Sequence, residues 1–151
     1  GDNTFYYGQA DFLVRISRMH TVWLDTLATG TIFAEPVLEP GPEALPTGTQ
    51  LIVGVRGASA IVPGSNPPHP YASAANMDSY GNLYTNAQLT ALGITGVTPV
   101  TPTFIGNTDV WRTTMSAING ARYFQIRVTF LCNPLSGLSP ELTTLGFAYR
   151  R

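Results

Sequence analysis

Residues 121–133, with the sequence ARYFQIRVTFLCN, constrain the fold of this chain more than any other stretch. From Phe124 onward the even positions of this stretch are apolar, whereas Gln125, Arg127 and Thr129 are polar. A period of two places successive side chains on opposite faces of a strand. The pattern therefore predicts a β-strand with one buried apolar face and one polar face.

Alternating or β-branched stretches predict further strands at 12–26, 31–39, 49–57, 109–115 and 141–151. Segment 12–26 is expected to form either one long strand or two short ones. In segment 31–39, Pro36 has no N–H group to donate to a ladder, so that strand is expected at a sheet edge or at a bulge.

The segment 58–108 differs in composition, because Pro, Gly, Asn and Ser occur there at a density that neither a helix nor a central strand tolerates. It is predicted to be a long irregular loop region inside a single domain that spans 1–151. A helical turn is expected at 86–94, where Gly93 provides a stop signal. Short strands joined by Gly and Pro turns, with little helix, predict an all-β fold, an antiparallel jelly-roll-like β-sandwich.

The charge of the chain and the length of its apolar runs argue against two classes of partner, nucleic acid and the membrane interior. Lys and Arg number 8 against 9 Asp and Glu, which gives a formal net charge of −1 and no basic field to neutralise phosphates. Apolar runs such as LIVGV at 51–55 are far shorter than the roughly 20 residues of a membrane-spanning helix. We therefore expect no nucleic-acid partner and no membrane span.

Residues that would support catalysis are scarce. The chain has no Gly-x-Ser-x-Gly motif, and its only histidines are His20 and His69. Structural zinc would need three or four clustered Cys and His residues, whereas Cys132 is the single cysteine and is expected to lie in the core. A pair of carboxylates for glycoside hydrolysis stays open, because the required spacing is spatial. We expect a protein that is not an enzyme.

The stretch NMDSYGN, residues 76–82, contains the most concentrated set of candidate metal ligands. Asn76, Asp78 and Asn82 offer side-chain oxygens suited to calcium, and Gly81 permits a sharp turn. A single carboxylate is a low charge for a calcium loop, and the same residues are typical of a plain turn. A calcium-binding loop is therefore the alternative interpretation to a plain turn.

Four aromatic residues in or beside the loop region are candidates for glycan binding, because sugar rings stack on exposed aromatic faces. They are Tyr71, Tyr80, Tyr84 and Trp111. The competing interpretation is that these rings pack the loop onto the sandwich or onto a neighbouring chain.

The stretches TVWLDT, PTGTQLIVGVRGA, VWRTTMSAINGARYFQIRVTFLCN and SPELTTLGFAY together resemble β-sandwich modules at the ends of bacterial secreted and surface proteins. Those modules are similar to discoidin or galactose-binding-like jelly rolls. The likeness covers 20–57 and 109–149, and its most specific part is RYFQIRVTF followed by SPELTTL. These are core and turn positions, so the resemblance implies a fold and secretion but assigns no binding residue.

Two functional classes follow from the sequence. Charged residues are 11% of the chain and Lys is absent, so much of the surface must be neutral, which suits burial in contacts between subunits. Residues 3–7 are rich in strand formers and are expected either to pair with a neighbouring subunit or to form an edge strand of their own domain. We expect a non-catalytic structural or adhesive subunit at the cell surface, with a secreted carbohydrate-binding module as the alternative.

Overall fold

The computed structural model describes residues 15–65, 77, 78 and 80–151. Within these residues the chain is mostly β, as predicted. The strands are β1 (Ile16–His20), β2 (Leu24–Asp25), β3 (Ile32–Phe33), β4 (Val37–Glu39), β5 (Gln50–Val62), β6 (Thr101–Phe104), β7 (Tyr123–Leu131), β8 (Thr144–Gly146) and β9 (Tyr149–Arg150). The helical elements are α1 (Asn86–Ala91) and the 3₁₀ helices Pro42–Ala44 and Met115–Ile118.

The main sheet has five antiparallel strands in the order β1-β7-β5-β6, with β2 also paired to β7. Strand β7 lies at its centre and pairs with β5 without interruption from Gln50 opposite Leu131 to Ala58 opposite Tyr123. Two further antiparallel pairs, β3–β9 and β4–β8, form separate two-stranded ribbons. The long apolar alternation in β5 and β7 explains why these two strands form the longest pairing of the fold.

One face of the main sheet, which we call the apolar face, packs against the two ribbons. The even positions of β7, Phe124, Ile126 and Val128, are fully buried there. The Phe124 ring lies 5.0 Å from that of Phe33 in β3 and 5.1 Å from that of Phe147, between β8 and β9. The antiparallel sheets therefore pack on each other in a sandwich-like all-β fold, which confirms the predicted fold class.

The ends of the predicted strands differ from those in the structure in several places. Segment 12–26 contains two short strands, β1 and β2, which is one of the two predicted alternatives. Segment 31–39 is divided into β3 and β4, with Pro36 between them. Segment 58–108 is not loop throughout, because β5 continues to Val62 and pairs with β6 near its far end.

The predicted strand at 109–115 is wrong. Within it a single bridge forms, in which the backbone of Arg112 exchanges hydrogen bonds of 2.7 and 2.9 Å with that of Val55. The chain then turns into a 3₁₀ helix in which Met115 and Ile118 are both fully buried. Residues three apart share a side of a 3₁₀ helix but face opposite sides of a strand, so burial of both side chains favours the helix.

Helix α1 confirms the helical turn predicted at 86–94. Thr85 and Gln88 form a capping box, with distances of 3.2 Å from Gln88 N to Thr85 Oγ1 and 2.8 Å from Thr85 N to Gln88 Oε1. Leu89 buries the inner side of the helix. In the described part of the chain, every helix is too short or too polar to cross a membrane.

The prediction that β7 has one buried face is also wrong, because its polar side chains are buried too. Gln125 is fully buried and Thr129 nearly so. The side of the main sheet that carries them, which we call the polar face, is covered by Trp111 and by the turn that contains Asp78 and residues 80–82. Cys132, expected in the core, is only half-buried, with its Sγ 3.2 Å from Ser139 Oγ.

Candidate functional site

The polar face brings basic side chains from three adjacent strands together. Arg56 of β5 lies opposite Gln125 of β7, and His20 of β1 lies opposite Arg127 of β7. Arg18 is two residues before His20 and so points to the same side of β1. Directly paired residues share a face of an antiparallel sheet, so the strand register itself assembles this cluster of cations.

Arg56 lies at the centre of the cluster and is only 1% exposed. Its Nε donates a hydrogen bond of 2.9 Å to Gln125 Oε1, and its Nη2 lies 3.4 Å from Met77 Sδ. The guanidinium carbon lies 4.3 Å from the centroid of the Trp111 ring and 5.4 Å from that of Trp23. Burial, together with the charge of a neighbouring arginine, lowers the pKa of Arg56 to about 9, so it stays a cation at neutral pH.

Arg127 lies beside Arg56 over a glycine of the neighbouring strand. A Cβ at Gly54 would lie 3.3 Å from Arg127 Nε and 3.5 Å from Trp111, so the missing side chain provides the space that both groups occupy. The guanidinium of Arg127 is 4.8 Å from the Trp111 ring centroid, and its Nη1 donates a 2.6 Å hydrogen bond to Tyr80 O. Burial, then the charge of Arg18, lowers the pKa of Arg127.

The turn over the polar face is organised by Asp78. Its Oδ1 accepts hydrogen bonds of 2.8 and 2.9 Å from the backbone N–H groups of Tyr80 and Asn82, and its Oδ2 accepts one of 3.1 Å from Asn82 Nδ2. Gly81 has a φ of +85°, and a Cβ there would overlap the His20 imidazole. Only glycine allows this conformation and this close approach together, so the turn lies directly on the sheet.

His20 lies under that turn with its ring 5.7 Å from the ring of Trp111. Burial lowers the pKa of His20, and the nearby arginines lower it further, against an opposing contribution from the Tyr80 backbone. The imidazole is therefore neutral at pH 7, and it adds no further charge to the three guanidinium groups.

Several buried nitrogens at this site lack a hydrogen-bond partner in the described structure. Among the residues that the structure describes, four buried side-chain nitrogens have no hydrogen-bond partner: His20 Nε2, Trp23 Nε1, Trp111 Nε1 and Arg127 Nε. In the same part of the chain neither Arg56 nor Arg127 forms an ion pair, whereas Arg122 pairs with Asp25 at 3.0 Å. The site thus combines buried positive charge with unpaired N–H groups.

The candidate calcium ligands are only partly brought together. Asp78 and Asn82 are adjacent, and Asn76 lies outside the described residues. Both oxygens of Asp78 accept N–H groups of its own turn, which is the arrangement of a plain Asx turn. Within the described ranges no three His, Cys, Asp or Glu side chains are grouped as a metal site would need. The calcium site stays a prediction.

The candidate glycan-binding rings are not arranged as an exposed row. Tyr80 is 57% exposed, with the guanidinium of Arg18 4.7 Å from its ring centroid. Trp111 and Tyr84 are half-buried, and the Trp111 ring is in contact with two arginines. Tyr71 lies outside the described residues. Glycan binding stays a prediction, for which Tyr80 is the one exposed ring among the three that the structure describes.

Several residues of the polar face were not among the predicted site residues. The sequence shows Arg56 and Gln125 at polar positions of two clearly predicted strands, and this position is the one indication of their role that the sequence gives. Their contact depends on the register between β5 and β7, which the alternation alone leaves open. Trp23, between β1 and β2, gave no signal beyond its size.

No family model, curated protein or solved structure matches this chain. The resemblance to discoidin-like modules therefore stays a prediction.

Proposed function

We propose that this domain is a non-catalytic structural or adhesive subunit of an extracellular assembly, which associates with copies of itself or with neighbouring subunits. The supporting observation is the open edge of the main sheet at β1. In the described part of the chain this strand pairs with β7 and with no other strand. It exposes Ile16 (47%) and Met19 (44%), one on each face of the sheet.

Within the described ranges, strand β1 lacks the usual protection of a sheet edge. Edge strands that avoid association carry charges, prolines or bulges. The five pairs between β1 and β7 are in regular register, and β1 contains no proline. Its one arginine, Arg18, stacks on Tyr80 instead of extending from the edge. The N–H and C=O groups of β1 that point away from β7 have no strand partner among the described residues, and they are suited to pairing with a strand of another subunit.

The rest of the surface supports the same proposal. Large exposed apolar side chains are distributed over the described exterior, including Leu27, Val37, Val62, Leu92, Val110, Leu135 and Leu138. Monomeric proteins usually stay apart through interspersed charges, and here charged residues are only 11%. Such a surface favours contacts between subunits.

A carbohydrate-binding module is the second candidate. The Tyr80 side chain favours it, because it is 57% exposed and an exposed aromatic ring can stack on a sugar. We rank this function second because Trp111, the largest of the candidate rings, already covers Arg56 and Arg127.

The test is the size of the purified protein in solution, measured by sedimentation velocity over a hundredfold range of concentration. We expect the wild type to associate as its concentration rises. Ile16→Lys adds a charge to the β1 edge and is expected to shift the protein to monomer. Leu92→Lys is the matched control, because it adds the same charge at another exposed apolar position, on the C-terminal side of α1.

A wild type that stays monomeric across that range would overturn the proposal, and so would an equal loss of association in Leu92→Lys. Far-UV circular dichroism of each variant checks that the fold is retained. If self-association fails, binding on a glycan array that is lost in Tyr80→Ala would establish the second candidate.

A further inference from the structure

Among the residues that the structure describes, the positive charge gathered on the polar face exceeds the negative charge near it. Arg18, Arg56 and Arg127 converge there, and the nearby carboxylate is that of Asp78. Both oxygens of Asp78 are already engaged by N–H groups of its own turn. Burying a cation without a hydrogen-bonded counter-charge is strongly unfavourable. Three guanidinium groups against one carboxylate therefore leave an excess of positive charge among the described residues of the site.

The aromatic rings compensate only part of this charge. Trp111 contacts the guanidinium groups of Arg56 and Arg127 at 4.3 and 4.8 Å, which are cation–π distances. An aromatic ring stacked on a guanidinium group attracts the positive charge. It accepts no hydrogen bond from the guanidinium N–H groups, because these point outward in the plane of the guanidinium. Those N–H groups still need oxygen acceptors, and Arg127 Nε has none among the described residues.

The unpaired donors identify the kind of ligand. The Nε1 groups of Trp23 and Trp111 and the Nε of Arg127 can donate but cannot accept. Trp23 is 1% exposed, so bulk water does not serve its N–H group. The partner that fits these donors has several acceptor oxygens and a negative charge. Water or a neutral sugar would supply oxygens without charge, and a metal cation would be repelled.

We propose that the polar face is a binding site for a small oxyanion, a carboxylate or a sulfate, held by Arg127, Arg56 and the indole N–H group of Trp111, whose ring contacts both guanidinium groups. A guanidinium fork matches the geometry of such an anion. The carbonyl of Tyr80 already occupies Nη1 of Arg127, so the anion meets this arginine at Nε. The arginines proposed to hold the anion lie on β5 and β7, whereas the association proposed above uses the backbone edge of β1, so this proposal does not depend on self-association.

Tryptophan fluorescence reports directly on this site, because the chain has two tryptophans and both contact Arg56. The wild type is titrated with sodium acetate, sodium sulfate and sodium glucuronate, with the ionic strength held constant by sodium chloride. We expect a saturable change with at least one oxyanion. A tighter affinity for glucuronate than for acetate identifies a carboxylate carried by an acidic sugar, and equal affinities identify a free small anion.

Arg127→Gln removes the charge and the fork, and we expect it to weaken binding by about tenfold or more, since hydrogen bonds to charged groups contribute on that scale. Arg150→Gln is the matched control, because Arg150 is an exposed arginine on β9, outside the main sheet. We expect its affinity to stay within about twofold of the wild type, the range of ordinary surface substitutions.

Trp111→Phe keeps an aromatic ring at this position but removes the indole N–H donor, and Trp23 remains as the fluorescence reporter. It tests the proposal if Arg127→Gln fails to fold, and we expect a clear loss of affinity. The proposal is overturned if none of the three anions gives a saturable change in the wild type. It is equally overturned if folded Arg127→Gln or Trp111→Phe binds as tightly as the wild type.

Discussion

On the apolar face of the main sheet, Phe124 and Ile126 of β7 pack against the ring of Phe33 and other apolar groups. On the polar face of the same strand, Gln125 is buried just as completely, against Arg56. Both faces exclude water, but they do so by different means. The apolar face gains free energy from any contact of suitable shape, because the hydrophobic effect has no direction. The polar face is favourable only where each buried group has its own partner.

This difference predicts how each face responds to substitution. Loss of a side chain from the apolar face should cost free energy in proportion to the apolar contact and cavity created. The free-energy cost of losing a side chain from the polar face should depend on which group is left unpaired. A second substitution that removes the unpaired group can therefore restore the stability that the first one removed.

The largest effect is expected from Phe124→Ala. Its ring contacts Phe33 and Phe147, so truncation should lower the free energy of unfolding by about 3–5 kcal/mol. The measurement is urea denaturation followed by circular dichroism. Leu135→Ala is the control, because Leu135 is 97% exposed and its loss should change stability by no more than about 0.5 kcal/mol. A cost below that of typical core truncations would show that the apolar face is not the main core.

A smaller effect is expected from Gln125→Leu, which keeps the volume but removes the acceptor of Arg56 Nε. Gln125 Nε2 also donates a hydrogen bond of 2.7 Å to Thr21 O, and the variant leaves this carbonyl without that partner. We expect a loss of about 1.5–3 kcal/mol in the free energy of unfolding, the scale of a hydrogen bond to a charged group.

The double variant Arg56→Met/Gln125→Leu sharpens the comparison. Replacing a buried ionic group by an apolar one of similar size is often neutral or stabilising, so the double variant should recover most of the loss. The coupling between the two sites is the quantity that a double-mutant cycle measures. Additive losses would contradict a polar face built from specific pairs. Gln50→Leu, at an exposed position on β5, should change stability very little.

The apolar face could be predicted from the sequence because it depends on local periodicity. The alternation in β7 correctly identified Phe124, Ile126 and Val128 as core, and the short strand patterns joined by Gly and Pro turns identified the all-β fold. The helical turn predicted at 86–94, with Gly93 as its stop signal, similarly depends only on neighbours along the chain, and α1 forms there. Features encoded within a few residues were therefore predictable.

The polar face could not be predicted in the same way. Arg56 and Gln125 are 69 residues apart and meet only through strand register. A polar residue on an alternating strand normally indicates exposure, and here Trp111 and the turn around Gly81 reverse that expectation. The predicted strand at 109–115 failed for the same reason, because long-range burial of Met115 and Ile118 outweighed local β propensity.

The smallest expected effect is a pH dependence that belongs to the polar face. Burial lowers the pKa of His20 below its ordinary value of 6.5, so as the pH falls below that value the unfolded chain binds more protons at this residue than the folded chain does. Stability should therefore be complete above about pH 6.5 and decrease as the pH falls through the window between 6.5 and the folded pKa.

The measurement is the midpoint of thermal unfolding of the wild type and of His20→Gln between pH 7.5 and 5. The wild type should lose stability across this range, and the variant should lose less, because glutamine does not titrate. His69 is present in both proteins and cancels from the difference. The pKa values of Asp25 and Asp78 are also lowered, so their contributions are lost only at more acidic pH, near and below 4. Equal slopes in the two proteins would show that the imidazole is not held neutral beneath the turn, and would contradict the close packing of Gly81 on His20.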